Sequence, residues 1–89
     1  MEYQQIAEKL GVHPTTLSRW FSGLRSPSKT MMLLIKEELG WSVDDQLQAF
    51  NELREDGSGR DMYGPRFKEF LRDKHGVEDR LMQTEETKQ

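Results

Sequence analysis

The sequence predicts an all-α fold of about four helices followed by a C-terminal helix. Apolar residues recur at the three- and four-residue spacing that places side chains on one face of a helix. Proline or serine opens several of these segments and glycine closes them, as is typical of helix termini. We therefore expect short helices joined by tight turns in this chain of 89 residues.

The first two predicted helices lie in residues 6–23, IAEKLGVHPTTLSRWFSG, and their apolar faces can meet across a turn. Ala7 is small enough for the close crossing of two helices, whose axes lie about 8 to 10 Å apart. Gly11 lies where the chain must reverse direction. Glycine suits this turn because a positive φ there would cost other residues roughly 1 to 2 kcal/mol. Pro14 suits the first turn of the second helix, since it has no N–H to leave unpaired. The two apolar faces consist of Ile6, Ala7 and Leu10, and of Leu17, Trp20 and Phe21.

Three more helices are predicted after this pair. Ser28 caps a third helix that ends before Gly40. Ser42, with Asp45 three residues later, opens a fourth helix over about residues 43–53. Pro65 starts a fifth helix that ends at Gly76. Their predicted buried faces are Met31, Leu34, Ile35 and Leu39 in the third, Val43, Leu47 and Phe50 in the fourth, and Phe67, Phe70 and Leu71 in the fifth.

Glycine, serine and proline mark the expected domain boundaries. A flexible break falls at residues 57–59 and a second at residues 64–65. We expect a domain over residues 1–56, a linker over residues 57–64 and a C-terminal helical segment over residues 65–82. The polar residues 83–89 are typical of a disordered tail.

The spacing of particular residues around the glycine turn resembles that of a known family. Ala7 lies four residues before Gly11 and Leu17 lies six after it, and residues 19–28 read R-W-x-x-G-x-R-x-P-S. This series, from Tyr3 to about Trp41, resembles the helix-turn-helix of the phage repressor and Cro class, also called the lambda-repressor-like or XRE family. The resemblance implies a lambda-repressor-like helix-turn-helix domain.

The resemblance also implies that residues 14–22 form a recognition helix, which lies in the major groove of DNA. An arginine can read guanine through paired hydrogen bonds, and a threonine methyl can touch thymine. Phosphate contacts fix the register of a protein on DNA without reading sequence. The expected base contacts are His13, Thr15, Thr16, Ser18 and Arg19. The expected phosphate contacts are Gln4, Gln5, Ser22, Arg25 and Lys29.

The implied function is transcriptional regulation by occupancy of a double-stranded DNA operator, which blocks polymerase without a cofactor or a small-molecule ligand. The family's usual arrangement is a homodimer on a palindromic site, with half-sites about 34 Å apart, and the alternative is a monomer that reads an asymmetric site. Two other functions stay open. One is a protein-interaction module, such as an antitoxin or a phage protein that binds a host factor. The other is an architectural DNA-binding protein, such as an excision factor that bends DNA.

The N-terminus departs from the family pattern. Members usually carry a whole helix before this point, whereas only MEYQQ precedes Ile6 here. We expect the fifth helix to cover the exposed core instead, within its own chain or by exchange with a second protomer. The rival expectation is that its aromatic face forms a dimer contact or docks another protein. The candidate interface residues are Trp41, Phe50, Phe67, Phe70 and Leu71.

Charge is unevenly distributed in a chain whose net charge is −3. Residues 1–34 hold four cationic side chains and two carboxylates, whereas residues 35–56 hold two cationic side chains and seven carboxylates. The helix-turn-helix segment is therefore basic although the chain is acidic. With so few cations, we expect weak non-specific affinity for DNA and a specificity that depends on groove contacts.

Composition argues against several other classes of protein. The absence of cysteine excludes a disulfide framework and a thiolate metal site, and no apolar run approaches the ~20 residues of a membrane span. His13 and His75 lie in different segments, so no zinc site is indicated. Adjacent carboxylates such as Glu37 and Glu38 point apart on a helix, so catalysis is not indicated. Without a signal peptide, we expect a cytoplasmic, nucleoid-associated protein, in the host cell if it is encoded by a phage.

Overall fold

A computed structural model describes residues 3–77, and this part of the chain contains five α-helices. The helices are α1 (Tyr3–Leu10), α2 (Pro14–Ser22), α3 (Lys29–Leu39), α4 (Val43–Asn51) and α5 (Tyr63–His75). Between α4 and α5, one isolated antiparallel bridge joins Leu53 to Asp61. The all-α prediction is thus confirmed for the described range. The predicted extension of the last helix toward residue 82 and the tail over residues 83–89 lie outside it.

None of these helices is long and apolar enough to cross a membrane.

Local capping sets the limits of α3, as the sequence predicted. The Ser28 hydroxyl accepts a hydrogen bond of 3.2 Å from the backbone N–H of Met31. At the other end Gly40 has a φ of 88°, and its N–H donates to the carbonyl of Lys36. These bonds satisfy backbone groups that the helix itself leaves unpaired. Of the predicted buried face, Ile35 and Leu39 are buried, whereas Met31 and Leu34 are half-buried and pack against the core. Met32, which was not predicted, is also buried.

The sequence predicted the buried face of α4 only in part, because Phe50 packs against the core but the fully buried positions are Gln46 and Ala49. Leu47, predicted to be buried, is 48% exposed, whereas Gln46 is fully buried. The physical reason is that the Gln46 amide donates to two backbone carbonyls, at 2.9 and 3.0 Å, and so is satisfied in the interior. The helix also ends at Asn51 rather than near Leu53, because the chain becomes extended at Glu52.

The fifth helix begins two residues earlier than predicted, so residues 63–64 do not belong to a linker. The carboxylate of Asp61 accepts a 3.1 Å hydrogen bond from the N–H of Tyr63, which satisfies a donor of the first turn. Pro65 lies at the third helical position, where its missing N–H leaves no intrahelical bond broken. Tyr63 and Gly64 are both buried.

One apolar core joins all five helices. The helix α1 packs on α2 and α3, and α5 packs on α2 and α4. A Cβ atom at position 64 would overlap the carbonyl of Phe21, so only glycine allows the start of α5 to lie this close to α2. The largest fully buried apolar side chains are Ile6, Leu17, Phe21, Ile35, Tyr63, Phe67, Leu71 and Val77.

This core contradicts part of the predicted interface. Trp41, Phe67 and Leu71 are buried within their own chain, so they offer no surface to a second protomer. The rings of Trp41 and Phe67 stack with their centroids 5.2 Å apart. Phe50 and Phe70 are half-buried and pack against the same core. In this structure α5 therefore covers the helix-turn-helix core from within the chain.

Candidate DNA-binding interface

The turn between α1 and α2 fixes the angle of the two helices through a glycine in the left-handed region. Gly11 has a φ of 69°, and its N–H donates to the carbonyl of Glu8 at 3.1 Å. The next N–H, of Val12, donates to the carbonyl of Ala7 at 3.0 Å. This pair of bonds is the Schellman arrangement, which satisfies the last carbonyls of a helix. The turn therefore directs the chain into α2 with little freedom.

His13 caps the N-terminus of α2. Its Nδ1 atom accepts a hydrogen bond of 3.1 Å from the backbone N–H of Thr15 and lies 3.0 Å from the Thr15 hydroxyl. A ring that accepts at Nδ1 carries its hydrogen on Nε2. The sequence predicted His13 only as a base contact, and the structure adds a role at the helix terminus. The side chain stands exposed at this end of α2.

The outer side of α2 presents a short polar row. Thr15 and Arg19 are four residues apart and therefore share one side of the helix. Thr15 and Thr16 are half-buried, and Arg19 is exposed. On the opposite side Leu17 and Trp20 are buried in the core, so the polar row is held on a helix that cannot rotate.

Ser18 does not belong to this outer row. Its exposed fraction is 7%, because it lies beside the buried stripe that contains Leu17 and Phe21. A base edge in the groove cannot reach a side chain in that position. We therefore remove Ser18 from the expected base contacts.

The hydroxyl of Ser22 is engaged inside the helix. It donates to the carbonyl of Arg19 at 3.1 Å. A hydroxyl has a single hydrogen to donate, and a phosphate oxygen needs a donor. Ser22 stays an expected phosphate contact, because its hydroxyl can rotate and direct this hydrogen at a phosphate oxygen instead.

The other expected phosphate contacts lie on the two elements that flank α2. Gln4 and Gln5 are exposed in the first turns of α1, Arg25 is exposed in the loop after α2, and Lys29 is exposed at the start of α3. Among residues 3–77, the salt bridges that form involve Arg66 and Arg72 and leave Arg19, Arg25 and Lys29 without one. The cations next to α2 thus keep their charge available to an anionic ligand.

Arg60 lies at this site, although no pattern in the sequence predicts it there. Its Nη1 atom donates a hydrogen bond of 2.7 Å to the carbonyl of Ser22, the last residue of α2. Its side chain lies over Gly23, where an added Cβ would be 3.3 Å from the Arg60 Cδ. Residue 60 falls in the stretch that was predicted to be a flexible linker. The bridge between Leu53 and Asp61 and the hydrogen bond from the N–H of Arg54 to the carbonyl of Arg60 fold this stretch into a hairpin, from which the Arg60 side chain reaches α2.

The two histidines, His13 and His75, both contact other groups of the protein. The Nε2 atom of His75 lies 2.8 Å from the carbonyl of Leu39, which ties the end of α5 to the end of α3. His13 caps α2, as described above. Within residues 3–77, no three histidine or carboxylate side chains are grouped closely enough to hold a metal ion.

Comparison with known proteins covers about half of the chain. A helix-turn-helix family model, HTH_3, matches residues 1–46, which include α1, α2, α3 and the start of α4. No curated protein and no solved structure matches the chain.

Proposed function

This chain belongs to the XRE, lambda-repressor-like type of the helix-turn-helix family, whose members bind DNA, and we propose from that premise that it is a phage repressor- or Cro-like transcriptional regulator. It would occupy operator DNA with α2 in the major groove and thereby exclude polymerase. The observation that carries this proposal is the polar row of Thr15 and Arg19 on the outer side of α2. In that row Arg19 is exposed and Thr15 is half-buried, while the opposite side of the same helix is buried in the core.

The arrangement of α2 supports readout of bases. Side chains in the first turns of a recognition helix contact base edges, and Thr15, Thr16 and the exposed ring of His13 stand in those turns. Arg19 follows one turn later and can form the paired hydrogen bonds that identify guanine. A hydrogen bond of about 3 Å to a base tolerates little movement of its donor, so side chains on a helix that is held by the core are suited to base contacts.

The charge pattern supports the same orientation. Arg19, Arg25 and Lys29 surround α2, whereas the carboxylates of α4 and of the following turn lie in a segment with two cations and seven acids. These cations would attract DNA to the α2 side of the protein. The net negative charge of the chain is therefore compatible with DNA binding through the side that carries α2.

We also propose that the protein binds as a homodimer through the groove between α3 and α4. Leu33 is 53% exposed and Leu47 is 48% exposed, and both line an apolar groove with Met32 and Val43. Lys29, an expected phosphate contact, lines the same groove, so a second copy seated there would lie next to the DNA. This groove replaces the interface predicted from Trp41, Phe67 and Leu71, which are buried.

Selection of bound sites from random duplex DNA tests the proposed function. We expect an enriched sequence with two related halves, because a dimer places one recognition helix on each half-site. Affinity for that sequence should fall with salt, with a log–log slope of about −0.9 for each phosphate contacted. Absence of binding at low salt would contradict the proposal and favour a protein partner. Strong bending of the bound site, without repression, would favour an architectural role.

A further inference from the structure

The side chain of Arg60 crosses from the loop after α4 to the end of the recognition helix. It donates a 2.7 Å hydrogen bond from Nη1 to the carbonyl of Ser22 and lies against Gly23. The carbonyl end of a helix carries partial negative charge, which a cation stabilises. Arg60 is therefore fixed beside the loop that carries Arg25.

The loop that carries Arg60 is an ordered hairpin rather than a flexible linker. The bridge between Leu53 and Asp61 closes it, and the N–H of Arg54 donates to the carbonyl of Arg60 at 2.9 Å. The N–H of Arg60 donates in turn to the hydroxyl of Ser58 at 3.2 Å. Both bonds hold the backbone of residue 60, and the hydrogen bond to the carbonyl of Ser22 locates its guanidinium at the end of α2.

The guanidinium of Arg60 keeps donors for a further ligand. A guanidinium has five N–H donors, and the bond to Ser22 uses one of them. The side chain is exposed, and among residues 3–77 no carboxylate forms a salt bridge with it. The nearby carboxylate of Asp56 accepts hydrogen bonds from Ser58, which lower its pKa and keep it engaged within the loop.

We propose that Arg60 binds a phosphate of the DNA backbone next to the bases read by α2. The contact would extend the DNA-binding surface beyond residues 1–46, the part of the chain that matches the family model. This inference rests on the proposed DNA-binding function.

Arg60→Gln tests the inference in the full chain, with the duplex obtained by selection. We expect the Kd to rise by a similar factor for every duplex sequence, because a phosphate contact carries no sequence information. The log–log salt slope should become shallower by about 0.9, the amount that one phosphate contributes. Arg60→Lys should recover most of that slope, since it keeps the charge.

A matched control separates DNA contact from a general loss of charge or stability. Arg66→Gln removes the same charge from a side chain that pairs with Glu52, just after α4, and with Glu69 in α5, and it should leave the salt slope unchanged. A lower melting temperature of Arg60→Gln with an unchanged salt slope would overturn the inference in favour of a structural role. Failure of the wild-type protein to bind any duplex would overturn the proposed function as well.

Discussion

The hydroxyl of Tyr63 donates a 3.0 Å hydrogen bond to the Oε1 atom of Gln46 in the centre of the molecule. The amide nitrogen of Gln46 donates to the carbonyls of Met32 and Trp41, at 2.9 and 3.0 Å. One side chain on α4 thus connects α3, the turn before α4, and α5. Because each of these polar groups is buried, the connection fixes the relative position of the helices that support α2.

Gln46→Leu should destabilise the protein although leucine is apolar and of similar size. The substitution leaves the carbonyl of Trp41 and the hydroxyl of Tyr63 without their buried partner. The carbonyl of Met32 loses its bond to Gln46 but keeps the intrahelical bond of α3. Leaving a buried polar group unpaired costs about 1 to 3 kcal/mol, so we expect a loss of about 3 kcal/mol or more in the free energy of unfolding. Urea denaturation measures the loss. Gln48→Leu, on the exposed side of the same helix, should change the free energy of unfolding little. Equal losses of this free energy in the two variants would contradict the role of Gln46.

Tyr63 should make the stability of the protein fall at high pH. Burial, together with the nearby charge of Asp61, raises the pKa of the Tyr63 hydroxyl well above its ordinary value of about 10. The unfolded chain loses this proton first as the pH rises. The contribution of Tyr63 to the free energy of unfolding is therefore complete below about pH 10 and declines above it. Urea midpoints at pH 8 and pH 10.5 should differ more for the wild type than for Tyr63→Phe. Equal differences would show that Tyr63 is not the group responsible.

Gly64→Ala should separate α5 from α2. The added Cβ would overlap the backbone of Phe21, and a backbone cannot move aside as a flexible side chain can. We expect a loss above 2 kcal/mol in the free energy of unfolding, as for other overpacked cores. Gly40→Ala serves as the comparison, because its Cβ would meet nothing within 4 Å and its cost is limited to the positive φ of 88°, about 1 to 2 kcal/mol. A smaller loss for Gly64→Ala than for Gly40→Ala would contradict the close packing.

Leu33→Asp tests the proposed dimer groove. A carboxylate at this exposed position would face the apolar groove of the second copy and would lose its water on association, which is unfavourable. We expect sedimentation equilibrium to show a shift from dimer to monomer, with the thermal stability of the monomer unchanged. Leu24→Asp is the matched control, since Leu24 is also exposed but does not line the groove. A monomeric wild type, or an unaffected dimer, would exclude this groove as the interface.

Local signals in the sequence were sufficient for the helix-turn-helix. Pro14 and Gly23 delimit α2, and Ser28 and Gly40 delimit α3, because each acts on the backbone within four residues of itself. A cap or a glycine turn needs no distant partner. The bounds of both helices could therefore be predicted from the local sequence.

Long-range contacts decided what the sequence could not show. Gln46 is buried because its partners belong to α3, the turn before α4, and α5, so its polar side chain misled a prediction based on apolar spacing. Arg60 reaches α2 only through the hairpin closed at Leu53 and Asp61. Ser18 lies at the edge of a buried stripe, where spacing alone does not distinguish inside from outside. The positions of these three side chains could not be predicted from the sequence around them.

The most direct test of the central claim repeats the selection of bound DNA with Arg19→Ala and with Arg25→Ala. If α2 reads bases in the major groove, Arg19→Ala should lose the preference at one base position in each half-site and keep the others. Arg25→Ala should keep the selected sequence and weaken binding to all duplexes alike. An unchanged preference at every position for Arg19→Ala would contradict the placement of α2 in the groove.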